Sequence, residues 1–308
     1  MKKKDFLRIT DISQSELLEI MTLSEKVKKE LKSTGKNKPV FAQKTLVAIY
    51  EKPSLRTRIS FEIGMTQLGG HSVYLAPTDI SMGKRESASD IGKVTGSMAD
   101  MIMARTFKHE TVAELAKGSE VPVINGLSDL EHPCQILADY LTIKEQLGSL
   151  QGLKVTFVGD GNNNVTHSLA LASAMLGNEF YCASPQGYEM NPAIMKEAQA
   201  FGSKVVQTDS IEAAAKDADV IVADTWVSMG SEEEKEARLK TFSPYQVTQS
   251  VMAMAKPAAI FMHCLPAYRD KEVATAVIDG PQSVIFPEAE NRLHAQKGLM
   301  LWLAGIEY

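Results

Sequence analysis

The sequence is poor in the features that mark secreted and membrane-spanning proteins. It has only three cysteines, Cys134, Cys182 and Cys264. Three are too few and too scattered for a disulfide framework, and they point to a reducing compartment. The most apolar late run, "VMAMAKPAAIFM", contains a lysine and a proline and falls short of the roughly 20 residues of a membrane span. The basic start "MKKKDFLRIT" has no apolar stretch after it, so it predicts no signal peptide, and we expect a cytoplasmic protein.

The sequence also lacks an excess of positive charge. The net charge is -5 and the sequence pI is about 5.8. Nucleic acids and anionic membranes are bound mainly through an excess of Lys and Arg, so neither is expected as a partner. Any anion site must therefore be local. With 308 residues, 44% of them hydrophobic and 23% charged, the composition is globular, and the length favours two domains.

Short apolar runs alternate with helical patterns along most of the chain. The stretch "SQSELLEIMTLSEKVKKELKSTG" predicts a helix that begins with a Ser13/Glu16 capping box and ends at Gly35. The β-branched runs that follow predict strands; they are "TLVAIYE", "HSVYLA", "MIMART" and "VPVINGL", then "KVTFVGD", "FYCASP", "KVVQT", "VIVADTW", "IFMHCL" and "SVIFP". This alternation predicts an α/β fold with parallel sheets flanked by helices.

The run of predicted strands restarts near residue 153, which predicts two domains, 1–148 and 149–287. The helical pattern from Pro133 to Gly148 and the turn "GSLQG" would join them. The final segment, 288–308, predicts a helix that packs back onto the first domain. In open sheets of this kind, ligands bind at the carboxyl ends of the strands, and the loops there hold most of the unusual polar groups.

The stretch "EKPSLRTRISFE" predicts an anion site. Ser54, Arg56 and Thr57 fall between a predicted strand and a helical pattern, where backbone N–H groups and the helix dipole favour an anion. The two hydroxyls and the planar guanidinium add donors that suit phosphate oxygens. An ordinary N-cap with surface arginines is the alternative. No P-loop sequence occurs, so a small phosphate compound is expected rather than a nucleotide.

The stretch "EHPCQILADY" predicts a second cluster at a strand end. His132 can donate to a carbonyl oxygen, and Gln135 can hold an amide-like group. Arg105 ends the strand "MIMART". Beside a bound phosphate, these groups could surround an acyl carbon and stabilise charge on its oxygen. A helix-capping histidine with a buried Cys134 and glutamine is an equal alternative.

The second half offers polar loops of another kind. "VGDGNNNVTHS" lacks the third glycine of a dinucleotide fingerprint, and its asparagines suit a zwitterion's carboxylate and amine. Asp224 in "DTWVSMG" could pair an α-ammonium, and Met229 could fold over an aliphatic chain. Ordinary turns remain the alternative for both. "SEEEKEARLK" predicts a solvated helical face.

Cys264 admits three interpretations, namely buried core, nucleophile or metal ligand. With His132, Cys134 and His263 it could be drawn as a zinc site, but neither His/Cys pair has zinc-ligand spacing. We therefore predict no metal.

Four motifs, "SLRTR", "HPCQ", "DTWVSMG" and "HCLP", resemble the signatures of the aspartate/ornithine carbamoyltransferase family, and of its ornithine branch in particular. The resemblance extends over nearly the whole chain. It implies transfer of a carbamoyl group from carbamoyl phosphate to the δ-amine of L-ornithine, which gives L-citrulline and phosphate in arginine metabolism. It also implies a two-domain subunit in a homotrimer, with active sites near subunit boundaries and no cofactor. Covalent catalysis is unnecessary, since carbamoyl phosphate is already an activated donor.

The resemblance also assigns residues. The carbamoyl phosphate site would comprise Ser54, Leu55, Arg56, Thr57, Arg105, His132, Gln135, Cys264, Leu265 and Arg292. Among them, the residues around the reacting groups would be Arg105, His132, Cys264 and Arg292. The ornithine site would comprise Asn163, Asp224, Ser228 and Met229.

Two positions depart from the family pattern. Leu55 stands where the family usually has Thr, which removes one hydroxyl but leaves the backbone N–H. Ser81 stands where a neighbouring subunit usually lends a Gln or His. Three alternatives remain: a sibling enzyme that acts on aspartate, putrescine or an acylated ornithine, a nicotinamide-dependent dehydrogenase, and a non-catalytic binding protein.

Overall fold

A computed structural model describes residues 4–80, 82, 85–227 and 234–308 of the chain. The chain divides into two compact units, Met1–Leu141 with Glu290–Tyr308 and Thr142–Ala289. Each unit contains one parallel sheet flanked by helices. The end of the last helix belongs to the first unit, so the predicted fold class is confirmed.

The first unit is built on a four-stranded sheet in the order β2-β1-β3-β4. Its strands are β1 (Thr45–Tyr50), β2 (His71–Leu75), β3 (Met101–Arg105) and β4 (Val123–Leu127). A short 3-10 helix, Ile9–Asp11, precedes the helices α1 (Gln14–Thr34), α2 (Leu55–Gln67), α3 (Pro77–Ile80), α4 (Ala88–Gly96), α5 (His109–Gly118) and α6 (Pro133–Leu147). All pairings are parallel, and Tyr50 lies opposite Arg105. The loops after β1 and β3 therefore leave the same edge of the sheet.

Helix α1 shows how local sequence sets these boundaries. The backbone N–H of Glu16 donates to Ser13 Oγ at 3.3 Å, and the backbone N–H of Ser13 donates to Glu16 Oε2 at 2.9 Å. This is the predicted capping box. The helix ends at Gly35, whose φ of 75° is left-handed and costs glycine little. Both predicted ends of the helix are confirmed.

The second unit is built on a five-stranded sheet in the order β7-β6-β5-β8-β9. Its strands are β5 (Lys154–Val158), β6 (Glu179–Ala183), β7 (Val205–Thr208), β8 (Val220–Ala223) and β9 (Ile260–His263). Its helices are α7 (Asn164–Met175), α8 (Pro192–Gln199), α9 (Ile211–Ala215), α10 (Lys235–Phe242), α11 (Gln249–Met254) and α12 (Thr275–Ile278), with a 3-10 helix at Ser243–Tyr245. The last helix of the chain is α13 (Ile285–Leu303). The β5 and β8 strands are neighbours, so their carboxyl-end loops leave the sheet side by side.

The predicted strand "SVIFP" is wrong. Ser283 forms one isolated bridge to Phe261, and α13 begins at Ile285. Of the three apolar residues that suggested a strand, Val284 and Ile285 are buried and Phe286 is 69% exposed. Pro287 lies within the first turn of the helix, where a backbone N–H has no helical acceptor and proline is tolerated.

None of the helices in the described ranges combines the length and the apolar composition that a membrane span requires.

Candidate active site

The first turn of α2 carries the predicted anion site. Ser54 is its N-cap, with an extended φ of -158°, and its Oγ accepts a hydrogen bond from the Thr57 backbone N–H at 3.3 Å. Ser54 therefore has the capping role of the simpler interpretation. Leu55, the first residue of the helix, is 69% exposed. The first-turn N–H groups of a helix lack helical acceptors, so this end of α2 favours an anion.

A buried hydrogen-bond network lies behind this turn. Arg292 Nη1 donates to Gln135 Oε1 at 2.6 Å, and Arg292 Nη2 donates to Thr57 Oγ1 at 3.3 Å. Gln135 Nε2 donates in turn to Asp139 Oδ1 at 2.8 Å. All four side chains are almost wholly buried. The network joins α2, α6 and α13, so three predicted site residues from distant parts of the sequence lie together.

His132 is held neutral by its surroundings. Burial lowers the pKa of its imidazole well below the ordinary value, and the positive charges of Arg292, Arg105, Lys52 and Arg56 lower the pKa further. A neutral imidazole retains one N–H donor, which suits a carbonyl oxygen. Four positive charges therefore act on this one buried side chain, although the chain as a whole is acidic.

Arg105 ends β3 and is 6% exposed. Next to it is Lys52, whose pKa is lowered to about 8, first by burial and then by the charge of Arg105. Arg105 is buried and Lys52 is partly buried, and a bound anion would offset the desolvation cost of these two cations. Lys52 was missed from the sequence because a lysine beside a proline in a strand-end loop resembles any solvated residue.

In the second unit, Asp224 follows β8 and is buried. Burial raises the pKa of its carboxyl group, while His263, the Thr225 backbone N–H and the Cys264 thiol act in the opposite direction. Cys264 Sγ donates to Asp224 Oδ1 at 3.2 Å. The thiol is therefore engaged with the carboxylate that was predicted to hold the amino-acid substrate, and the two predicted residues lie together.

Asp224, His263 and Cys264 also bring three potential metal-ligand atoms within 4.8 Å of one another. His263 Nδ1, however, accepts a hydrogen bond from the Leu265 backbone N–H at 2.9 Å. Its Nε2 lies 3.3 Å from Glu272 Oε1. With Nδ1 of His263 and the Cys264 thiol engaged within the protein, the group is better suited to a polar network than to a cation. The absence of a metal stays a prediction.

Leu265 occupies the left-handed region with a φ of 57°. A β-carbon makes this conformation costly, and such residues are often found at functional sites. The predicted motif "HCLP" therefore holds its backbone in a restrained conformation directly after β9.

Asn163 is the N-cap of α7, and its Oδ1 accepts a hydrogen bond from the Thr166 backbone N–H at 2.8 Å. Its Nδ2 is buried and has no hydrogen-bond partner within the described ranges. A ligand carboxylate is a suitable acceptor for this donor. Three further predicted site residues, Ser81, Ser228 and Met229, lie outside the described residues.

The prediction of a solvated helix in "SEEEKEARLK" is wrong at Arg238, which is 6% exposed. Its Nε donates to the Trp226 carbonyl oxygen at 2.6 Å, and its guanidinium forms an ion pair with Asp160. The rings of Tyr188 and Phe242 lie 4.9 and 5.2 Å from the guanidinium carbon. Arg238 therefore joins the loop after β5 to the loop after β8, the two loops predicted to bind the amino acid.

Comparison with known proteins agrees with this arrangement. Residues 4–145 match the family model "Aspartate/ornithine carbamoyltransferase, carbamoyl-P binding domain". Residues 151–303 match the model "Aspartate/ornithine carbamoyltransferase, Asp/Orn binding domain". An ornithine carbamoyltransferase of Wolinella succinogenes is 49% identical over 304 residues, which cover 97% of this chain and 98% of that protein.

Solved structures give the same result. The ornithine carbamoyltransferase from Pyrococcus furiosus has a TM-score of 0.94 and 45% identity, and the match covers 99% of this chain and 98% of that one. The anabolic ornithine carbamoyltransferase from Campylobacter jejuni has a TM-score of 0.92 and 40% identity, with coverage of 98% and 99%. The chain therefore belongs to the aspartate/ornithine carbamoyltransferase family.

Proposed function

We propose that the protein transfers the carbamoyl group of carbamoyl phosphate to the δ-amine of L-ornithine and releases L-citrulline and phosphate. The observation that carries this proposal is the group of cations, including Arg56 in the first turn of α2, whose charges act on the buried, neutral His132 directly before α6. Such a pocket suits a small ligand that has both a dianionic phosphate and a carbonyl oxygen. Carbamoyl phosphate is such a ligand, and the chain belongs to a family that uses it.

We propose that the first unit binds carbamoyl phosphate. Arg56, Ser54 and Thr57, with the Leu55 backbone N–H, would hold the phosphate oxygens at the start of α2. Arg105 and His132 would donate to the carbonyl oxygen, and Gln135 would bind the carbamoyl amide. Arg292 would add charge beside the reacting group, since it bonds both Thr57 and Gln135.

We propose that the second unit binds ornithine. Asp224 would pair the α-ammonium, and the unpartnered Nδ2 of Asn163 would bind the carboxylate. Ser228 and Met229 would complete the ornithine site. Cys264, whose thiol donates to Asp224, would act as a weak polar contact for the attacking amine, with Leu265 beside it; a nucleophile is unnecessary because carbamoyl phosphate is already an activated donor.

In the reaction, the neutral δ-amine attacks the carbonyl carbon and forms a C–N bond. The tetrahedral intermediate carries its negative charge on the former carbonyl oxygen, toward which Arg105 and His132 would donate. The C–O bond to phosphate then breaks, and the departing phosphate takes the proton from the amine. Orientation of the two substrates can lower the activation free energy by about 7 to 11 kcal/mol, and each oriented hydrogen-bond donor can lower it by about 3 kcal/mol more.

We further propose a cytoplasmic homotrimer that acts in arginine metabolism. Cys134 and Cys182 are buried, Cys264 is partly buried, and none of these three thiols forms a disulfide, which supports a reducing compartment. Ile59 and Ile63 on α2 are 44% and 42% exposed, which supports an apolar contact between subunits. Light scattering in solution should give three times the 33.7 kDa of one chain; a monomer would contradict this part of the proposal.

The activity is tested by incubating the purified protein with carbamoyl phosphate and, separately, ornithine, aspartate, putrescine and N-acetylornithine. We expect a carbamoylated product with ornithine alone. A product with another acceptor and none with ornithine would assign the chain to a sibling activity. No product with any acceptor would contradict the enzyme function.

A matched pair of arginine variants tests the phosphate site. Arg56→Ala should abolish turnover and weaken carbamoyl phosphate binding. Arg58→Ala is the control, since Arg58 is exposed and bonds Glu62 one turn along the same helix. Equal kinetics in the two variants would contradict the assignment of Arg56.

A further inference from the structure

Gln296 lies one helical turn beyond Arg292 on α13 and is fully buried. Arg292 has only donors, so the amide oxygen of Gln296 must face it. In this orientation the oxygen accepts hydrogen bonds from Arg292 Nη2 at 2.9 Å and from Arg292 Nε at 3.2 Å. Two donors of the guanidinium fork are thus held by one neutral oxygen, which fixes the guanidinium plane.

The amide nitrogen of Gln296 faces α2. It donates to Ser60 Oγ at 2.5 Å. Ser60 Oγ donates in turn to the Arg56 carbonyl oxygen at 2.5 Å, and the Thr57 carbonyl oxygen lies 3.1 Å from the same hydroxyl. Through Ser60, one side chain therefore connects the guanidinium of Arg292 to the first turn of α2, where the phosphate is proposed to bind.

This connection distinguishes Gln296 from a core residue. A buried amide that only filled space would lose its hydrogen bonds to water without replacing them. An apolar side chain of the same shape would then give a more stable protein. Gln296 also leaves the charge of Arg292 intact, because it is a neutral acceptor. A carboxylate in its place would pair with Arg292 and reduce the positive potential that an anion requires.

We propose that Gln296 is a positioning residue for carbamoyl phosphate. It fixes the guanidinium plane of Arg292 so that Nη1 points at Gln135 and Nη2 at Thr57. Through Ser60 it also holds the first turn of α2 in register with that guanidinium. This inference rests on the proposed function, in which Arg292 acts on carbamoyl phosphate.

The first test replaces Gln296 with Met, which keeps the length and volume and removes both polar atoms. We expect the KM for carbamoyl phosphate to rise by roughly ten- to a hundredfold, the range for a lost hydrogen bond to a charged group. The KM for ornithine should stay within about twofold. Leu299→Ala on the same helix is the control, because Leu299 is buried and its truncation destabilises the helix packing without removing a polar contact.

A double-mutant cycle tests whether Gln296 acts through Arg292. If it does, Gln296→Met should add no further rise in the carbamoyl phosphate KM to an Arg292→Ala background. Wild-type kinetics in a folded Gln296→Met variant would overturn the proposal. Equal rises in the KM values of both substrates, or additive effects in the cycle, would overturn it as well.

Two measurements keep the test decisive. Should Gln296→Met fail to fold, Ser60→Ala breaks the same connection from α2, and an unchanged carbamoyl phosphate KM in that variant would refute the role of the connection. Calorimetric binding of carbamoyl phosphate without ornithine separates this inference from the proposed function. A wild-type protein that binds carbamoyl phosphate but carbamoylates no acceptor would contradict the proposed transfer. In that case the effect of Gln296→Met on the dissociation constant of carbamoyl phosphate would still decide the role of Gln296.

Discussion

Arg238 offers a quantitative test of how the second unit holds its substrate loops. Arg238→Met keeps most of the side-chain length and removes the guanidinium. The variant loses the ion pair with Asp160 and the 2.6 Å hydrogen bond to the Trp226 carbonyl oxygen. It also loses the contacts of the guanidinium with the rings of Tyr188 and Phe242.

The main energetic effect is the stranded carboxylate. The side chains of Arg238 and Asp160 are 8% and 11% exposed, so removal of the cation leaves a buried negative charge without its partner. Loss of one partner of a buried pair costs about 3 to 5 kcal/mol. In a unit of this size each kcal/mol lowers the melting temperature by about 3 °C. We therefore expect the melting temperature of the second unit to fall by about 10 to 15 °C.

The assay is calorimetry combined with steady-state kinetics. Because Arg238 lies in the second unit, the ornithine KM should rise, whereas the carbamoyl phosphate KM should not. The double variant Asp160→Asn/Arg238→Met removes the stranded charge and should recover most of the lost stability. A melting temperature within about 2 °C of wild type, or a double variant no more stable than Arg238→Met, would refute the reasoning.

Three further predictions concern single residues. Burial lowers the pKa of His294 from 6.5 to about 4, so the unfolded chain binds a proton at a higher pH than the folded protein does. The stabilisation is complete above pH 6.5 and is lost as the pH falls toward 4, at up to roughly 1.4 kcal/mol per pH unit. His294→Gln should flatten this dependence in urea unfolding, and an unchanged slope would exclude His294 as its source. Asp224→Asn should raise the ornithine KM by roughly ten- to a hundredfold and leave the carbamoyl phosphate KM unchanged; the opposite pattern would reject the role of Asp224. Leu55→Thr restores a hydroxyl at an exposed position, so it should change the unfolding free energy by less than about 0.5 kcal/mol. The carbamoyl phosphate KM should fall by roughly two- to tenfold. A raised KM would show that the hydroxyl does not reach the phosphate.

Local signals made much of the fold predictable. The Ser13/Glu16 capping box and Gly35 set the ends of α1, and the β-branched runs marked nine strands that lie in the described ranges. The failure at "SVIFP" has a clear cause. Three apolar residues followed by Pro287 are compatible with a strand end and with a first helical turn, and only the packing around Ile285 decides between them.

Part of the candidate site could also be predicted, because strand-end loops place polar groups at one edge of each sheet. The residues that hold the site residues in place could not be predicted from the sequence. Arg238 lies in a run of charged residues where nothing distinguishes it from its solvated neighbours. Gln296 has the spacing of a core position on a helix, and its partner Ser60 is more than two hundred residues away. Such contacts depend on tertiary packing, which one sequence does not reveal.

The first unit is discontinuous, since it needs both the beginning of the chain and Glu290–Tyr308. On a ribosome, the segment that brings Arg292 to Gln135 is synthesised only after all of Thr142–Ala289. The first unit can therefore complete its core, and its proposed phosphate site, only after the second unit has been synthesised. Nascent or prematurely terminated chains would expose the surfaces of α2 and α6 that α13 covers, which makes them substrates for chaperones and proteases.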